Sequence, residues 1–407
     1  MGPQIEATVF EYFPTNYVWN LSLNIALSSG GQIGEIDQAC RPALEAAKQG
    51  DDAGVRVLTD SLVKLGDRVA KMAEADLAKG RELSAGAKFR RSAVYYSTAE
   101  RLYAPLAPDR KALYLKMLET FAKFVKNSGV SVTRVEIPYA GDTMAALFVK
   151  APSASSESPA PCMVHFDGFD AYKEMLYLNG MPDALAARGI STLIVDHPGV
   201  GEALRLKGMT VEPQIEKCAS AAVDYLERRS DVDRKRIGMM ALSMGGYYAP
   251  RAAAFEKRFK ACVAWGANYD WGGVQRARYE NSKIGKPVPH FWDHLKWALG
   301  KSTVEEALAF GDQINLRGIL HRIECPILIS HGENDRQIAV KYAQMTYDEC
   351  VNSPRRELKI HTKEEVAAEH CSVDNGSVAI DYMADWLAEA LGGSTVPATQ
   401  QEQYAER

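Results

Sequence analysis

The chain has 407 residues, 46% of them apolar and 25% charged, with a net charge of −4. At about 150 residues per domain, this length implies two or three compact units. The mild negative charge argues against a nucleic-acid-binding face, and no apolar run approaches the ~20 residues needed to span a bilayer. Met1–Phe13 has neither the basic start nor the apolar core of a secretory leader. The seven cysteines are scattered with no C-x-x-C pair, and Cys162, Cys262 and Cys325 fall in apolar strand-like runs. A reduced, cytoplasmic protein is expected.

Glu11–Leu27 carries Tyr12, Phe13, Tyr17 and Trp19 and reads as a helix whose aromatic stripe is core or pocket lining. From Ile36 to Ser128 the apolar period is helical. Leu58, Leu62, Leu65, Val69 and Met72 share one face, as do Phe89, Ala93, Tyr96, Ala99 and Tyr103. Gly50 suits a helix end. Pro108 opens a helix over Asp109–Lys126, and Gly129 closes it. Residues 1–129 are therefore expected to form an all-helical N-terminal domain, a lid or dimerisation element, with no internal repeat.

At Val130 the period changes to two. Val132–Ile137 and Thr143–Lys150, joined by Gly141-Asp142, predict a hairpin. Residues 151–161 read as a surface loop. Six further buried strands follow at Cys162–Phe166, Thr192–Val195, Ile237–Leu242, Ala261–Trp265, Ile327–Ser330 and Leu358–His361, alternating with helices. This is an α/β pattern: a mostly parallel eight-stranded sheet covered on both faces, expected over 130–391. Asn268–His321 interrupts it with Tyr269, Trp271, Tyr279, Phe291, Trp292 and Trp297. It reads as a small helical cap inserted at about 268–321. Residues 392–407 are polar and read as a disordered tail.

The stretch Arg236–Tyr248 (RIGMMALSMGGYY) carries the chemistry. A buried strand turns into a helix with Ser243 at the apex, flanked by Ala241, Gly245 and Gly246. Small residues two before and two after a serine are what a strained nucleophile elbow requires. The usual first glycine is Ala241 here. A serine in an ordinary strand-to-helix turn would look the same locally, so the rest of the chain must decide. The loop after strand Ile327–Ser330 supplies Asp335, with Glu333 as the alternative carboxylate. The loop after Leu358–His361 leads to His370, with His197 and His290 as alternative bases. The order Ser243, Asp335, His370 is that of an α/β-hydrolase triad. Backbone N–H groups of Met244 and Phe169 are the expected oxyanion donors, with Gly168 allowing the turn.

The stretch from about Val130 to Leu391 resembles an α/β-hydrolase. The helical N-terminal region together with H-F-D-G-F-D (His165–Asp170), D-H-P-G-V-G-E (Asp196–Glu202), S-M-G-G-Y-Y and A-E-H-C resembles a narrower family. That family takes in 2,6-dihydroxypseudooxynicotine hydrolase, fungal yellowish-green polyketide-shortening hydrolases and fermentation-respiration switch-like proteins. The resemblance implies a homodimeric serine enzyme that cleaves a carbon–carbon bond next to a ketone. An aromatic or polyketide-type substrate of secondary metabolism is expected, with no cofactor, metal, nucleic acid or membrane. Gly168, Asp170, Lys173, Glu174, Trp271, His290 and Trp292 are the expected substrate contacts. A carboxylesterase or thioesterase would use the same triad. A non-hydrolytic cyclase, or a partner-binding module, would keep the fold.

Other motifs are weaker. Gly300-Lys-Ser302 ends like a phosphate loop but follows a helix. Gly199-Val-Gly201 lacks the third glycine of a dinucleotide fingerprint. His290 and His294 share a helical face but have no third zinc ligand.

Overall fold

The computed structural model of the chain describes residues 9–281 and 283–396. The expected tail therefore lies, from 397 onward, outside the described residues, as does the start of the N-terminal stretch. Eight strands form: β1 (Val132–Tyr139), β2 (Asp142–Val149), β3 (Ala160–Phe166), β4 (Ser191–Val195), β5 (Val232–Leu242), β6 (Cys262–Trp265), β7 (Ile327–Gly332) and β8 (Arg356–His361). They make one sheet in the order β1-β2-β4-β3-β5-β6-β7-β8. β2 runs antiparallel to both of its neighbours, and every other pairing is parallel. This is the α/β-hydrolase fold.

β3, β4, β6 and β7 are buried along their whole length, which is why their sequences are continuous apolar runs rather than alternating ones. Helix Gly376–Leu391 packs its Met383, Trp386 and Leu387 against Met163, Met240, Val263 and Leu328 of the sheet. The register aligns Phe166 with Ala241, Leu242 with Trp265, and Trp265 with Ser330. The C-terminal ends of β3, β5, β6 and β7 thus lie side by side. Open α/β sheets keep their sites at this edge.

The chain divides into two compact units. One is Met1–Val130 with Ala277–Ala307 and Val373–Asn375; the other is Ser131–Arg276 with Leu308–Ser372 and Gly376–Arg407. In the first, Val55–Leu77, Glu82–Leu102 and Arg110–Ser128 are the long helices. Their close approach uses glycine: a Cβ on Gly66 would lie 2.5 Å from the Tyr96 ring, and one on Gly86 would lie 2.6 Å from the Asn127 carbonyl. Gly129, at φ +68°, closes the last helix in the left-handed conformation.

The expected insertion does not stay together. Residues 277–307 join the helical unit because its buried cations hold them. Arg101 donates to the Pro287 carbonyl at 2.7 Å, and Arg110 lies over the Trp297 ring at 5.0 Å. The Asp52 carboxylate accepts from the His290 N–H at 2.8 Å. Residues flanking this segment stay with the sheet unit: Asp270 bridges to Asn315, and Arg276 and Arg317 pair with Asp312 and Asp270.

Candidate active site

Ser243 sits where β5 turns into helix Gly245–Phe255. Its φ is +61°, a left-handed conformation that costs a non-glycine residue on the order of 1–3 kcal/mol. The surroundings enforce it. The Ser243 N–H donates to the Trp265 carbonyl at 2.8 Å, and the Ser243 carbonyl accepts from Gly246 at 2.8 Å. A Cβ on Gly245 would fall 2.4 Å from the Ala241 methyl, and one on Gly246 would fall 2.1 Å from the Gly266 carbonyl oxygen. The extra methyl of Ala241 is accommodated because position 245 has none.

The Ser243 hydroxyl lies 2.8 Å from His370 Nε2, and His370 Nδ1 lies 2.7 Å from Asp335 Oδ2. The Asp335 carboxyl has no solvent exposure, and its Oδ1 accepts from the Gln337 and Ile338 N–H groups at 2.8 and 2.9 Å. Two loops bring these residues together, and Gly332 is the reason they can meet. A Cβ there would clash at 2.2 Å with the Ala368 carbonyl, whose oxygen accepts from the Asn334 N–H at 2.9 Å. Glu369, fully buried, accepts from Asn334 Nδ2 at 2.6 Å and Arg336 Nε at 3.0 Å, which locks the aspartate loop against the histidine loop. Sequence reasoning missed Glu369 because its partners are distant in the chain.

The electrostatics follow. Burial alone would raise Asp335, but the adjoining His370 holds its carboxyl below the ordinary range. Burial alone would lower His370, but the Asp335 carboxylate lifts it well above the usual histidine value. The alternatives fall elsewhere. Glu333 is exposed and accepts from the Lys363 N–H at 2.7 Å. His197 is buried between Phe166 and Tyr248, with its ring nitrogens on the Pro198 and Asp167 carbonyls. Burial lowers its pKa to about 4. Cys371, the last residue of A-E-H-C, places its Sγ 3.7 Å from His370 Nε2.

Gly168 lies against the serine. A Cβ on it would be 3.1 Å from Ser243 Cβ and 3.2 Å from the Leu242 carbonyl oxygen. Phe169 follows, its ring 5.5 Å from that of the buried Trp271. Met244 is the N-cap of the next helix, ahead of the first intrahelical bond. Asp170 is buried on the same loop. His290 and Trp292 belong to the helical unit. There His290 starts helix Phe291–Leu299 at φ +52°, and Trp292 packs on Tyr279 and Phe291.

Lys173 and Glu174, expected as substrate contacts, are both buried in an ion cluster. Lys173 is wholly buried. Its ammonium meets Glu202 at 2.6 Å, Asp196 at 2.9 Å and Glu174 at 2.9 Å. An ammonium already shared by three carboxylates has no donor left to offer a substrate. Gly300 is the left-handed cap of helix Phe291–Leu299, not the end of a phosphate loop. All seven cysteines are free thiols, six of them buried.

The profile of the family described as "Esterase FrsA-like" matches residues 68–366, well over half of the chain. The chain belongs to the esterase FrsA-like family. Among curated proteins it is 27% identical over 371 residues to hydrolase acrC of Aspergillus aculeatus, covering 79% of this chain and 83% of that one. It is 27% identical over 333 residues to 2,6-dihydropseudooxynicotine hydrolase of Paenarthrobacter nicotinovorans, covering 82% and 84%. The crystal structure of 2,6-dihydroxy-pseudo-oxynicotine hydrolase superposes with a TM-score of 0.74 at 24% identity, over 92% of this chain and 98% of the other. This FrsA-like chain is thus an α/β-hydrolase with relatives among fungal hydrolases. No described helix is long and apolar enough to cross a membrane.

Proposed function

We propose that this FrsA-like chain is a serine hydrolase that cleaves a carbon–carbon bond next to a ketone through an acyl-enzyme. The observation that carries the serine mechanism is the line Ser243–His370–Asp335, at 2.8 and 2.7 Å, on a strained elbow. In this reading Ser243 attacks the ketone carbonyl while His370 Nε2 takes its proton, and Asp335 holds the tautomer and the imidazolium. The N–H groups of Met244 and Phe169 receive the oxyanion. Collapse of the tetrahedral adduct expels a carbanion, which His370 protonates. Water, activated by the same histidine, then releases the acid.

The leaving carbon must be stabilised by a carbonyl or phenol, since a simple alkyl carbanion is too basic to expel. The relative named for hydrolysis of 2,6-dihydropseudooxynicotine and the aromatic pair Phe169–Trp271 beside the serine support a flat, acyl-phenol or β-dicarbonyl substrate. The family's description favours a second reading, ester or thioester hydrolysis with the same residues. The test is turnover of an acyl-phenol or β-diketone beside a p-nitrophenyl ester of the same acyl group, with mass spectrometry of the acylated peptide. Acylation of Ser243 by both and turnover of the ketone supports the proposal. Brisk ester turnover with none of the ketone moves the assignment to the esterase.

A further inference from the structure

Beneath the loop that carries Phe169 lies a cluster of buried acids which the mechanism above does not use. The printed ion pairs of Glu174, Asp196 and Glu202 run to two cations, Lys173 and Arg134, and Asp167 lies beside them with no ion pair of its own among the described residues. Lys173 is fully buried, and Arg134 reaches the cluster from the half-exposed edge, 2.7 Å from Glu202. With every acid ionised, the cluster would hold an uncompensated negative charge inside the protein. Burial of an unpaired carboxylate is costly enough that such groups take up a proton instead.

The geometry says which one. Asp196 Oδ1 accepts from the Lys173 N–H at 2.8 Å; its Oδ2 accepts from Lys173 Nζ at 2.9 Å and from the Glu202 N–H at 2.8 Å. A carboxylate offers about four acceptor sites, so one remains, on Oδ1. Gly201 presses on this carboxyl so closely that a Cβ would stand 1.9 Å from its carbon. Asp196 is therefore fixed. Asp167, also without exposure, has no donor for either carboxyl oxygen, and Asp196 is its acidic neighbour.

We propose that Asp167 is a neutral acid that donates its proton to Asp196, and that this bond is the positioning contact that aims the Gly168–Phe169 backbone at Ser243. Asp167 directly precedes Gly168, whose Cα approach to Ser243 leaves no room even for a methyl without adjustment. The groups around Asp167 agree. Asp196, Lys173 and Glu174 act on it, Tyr248 lies within electrostatic reach, and the His197 ring reaches its carbonyl at 3.4 Å. Burial, reinforced by the Asp196 charge, drives Asp167 well above the ordinary carboxyl range. Burial lifts Glu174 to about 7, so the cluster keeps one proton on Asp167 after Glu174 has lost its own. An ionised Asp167 would set a second negative charge against Asp196 and push the loop, and with it a developing oxyanion, out of place.

The functional part of this inference rests on the serine-hydrolase reading, but its protonation part does not. The first measurement is therefore infrared difference spectroscopy of wild type against D167N at pH 8, above the Glu174 value. A carboxylic-acid carbonyl band present in wild type and missing in D167N is expected. Its absence from wild type, or its persistence in D167N, overturns the proposal whatever the enzyme hydrolyses. The second is the pH profile of kcat. Wild type loses kcat at high pH as Asp167 ionises, whereas D167N, which keeps a neutral donor toward Asp196, has lost that alkaline limb. D167L, of similar size but with no donor, lowers kcat about 10²-fold with KM within about threefold, the scale of one misplaced oxyanion donor. An alkaline limb retained in D167N, or equal kcat in D167L and D167N, also overturns it.

Discussion

The two sides of Ser243 are built on opposite plans. On the His370 side the reacting groups form a line: Ser243 with His370, His370 with Asp335, and Asp335 with two backbone N–H groups. On the Gly168 side three acids share one buried ammonium, one of them also meets an edge guanidinium, and a fourth, Asp167, has no cation of its own. A paired line passes one proton between Ser243 and His370 while Asp335 holds the imidazole in place. A shared cage cannot do that; it holds a shape, and its cost is a group that must stay uncharged. The contrast predicts that substitutions on the first side reduce rate with the fold intact, and that removing the shared cation from the second reduces stability.

The largest effect belongs to the first side. Ser243→Ala should lower kcat/KM by roughly 10⁴-fold or more while leaving Tm unchanged within a degree or so. A serine-directed phosphonate should label wild type at Ser243 alone. An alanine variant with wild-type turnover would remove the serine mechanism.

Asp335→Asn comes next, with a loss of about 10⁴-fold because the histidine loses the acceptor that fixes its tautomer. It also has a signature in pH. His370 must be neutral to accept the serine proton, so kcat/KM falls as pH drops through its pKa. Burial alone would set that pKa below 6.5, and the Asp335 carboxylate raises it well above. The asparagine removes the raising charge, so the acid limb moves to lower pH. A limb that stays in place would show that some other group controls it. Should Glu333→Gln prove the damaging change instead, the wrong carboxylate has been assigned.

How much of this contrast the sequence displays depends on the side. The relay was legible because Ser243 and Asp335 each sit just past a strand whose apolar run announces it, and His370 follows the half-buried β8 in the chain order Ser, Asp, His. The cage was not. Nothing next to Lys173-Glu174 in the chain shows what they pair with until β3 and β4 are placed side by side, which brings the loop with Asp196 and Glu202 over them. The same limit applies to 268–321. Its aromatic residues show that it is buried, but not against what. Only the three-dimensional position of Arg101 and Arg110 reveals that half of it leaves the sheet unit. Local period encodes elements, whereas charge pairing between loops is a property of topology.

Lys173→Met tests the second side. Removing the cation strands Asp196, Glu202 and Glu174 in a dry site, and breaking a buried ion pair in this way costs about 3–5 kcal/mol. Tm should fall by on the order of 10 °C, measured by calorimetry, far more than for Ser243→Ala or Asp335→Asn. An unchanged Tm would mean that the cage contributes nothing to the fold, and the comparison would fail.

The smallest effect is the most specific, because it concerns the junction of the two sides. Trp271 is buried against Phe169, the residue whose N–H is assigned to the oxyanion. Truncating it leaves both the relay and the cage untouched but frees the Phe169 ring to move. A p-nitrophenyl ester expels a stable phenolate and needs only a modest oxyanion site. Cleavage of a ketone–carbon bond has a poorer leaving group, so its adduct must live long enough for His370 to deliver a proton to carbon. Proton transfer is decided by geometry before pKa. Trp271→Ala should therefore reduce acyl-phenol or β-diketone cleavage about tenfold more than ester hydrolysis, with Trp271→Phe in between. The two activities are measured on the same preparations, so loss of folded protein cancels in their ratio. Equal losses on both substrates would show that Trp271 only fills space, and would take away the support that the Phe169–Trp271 pair lends to the carbon–carbon reading.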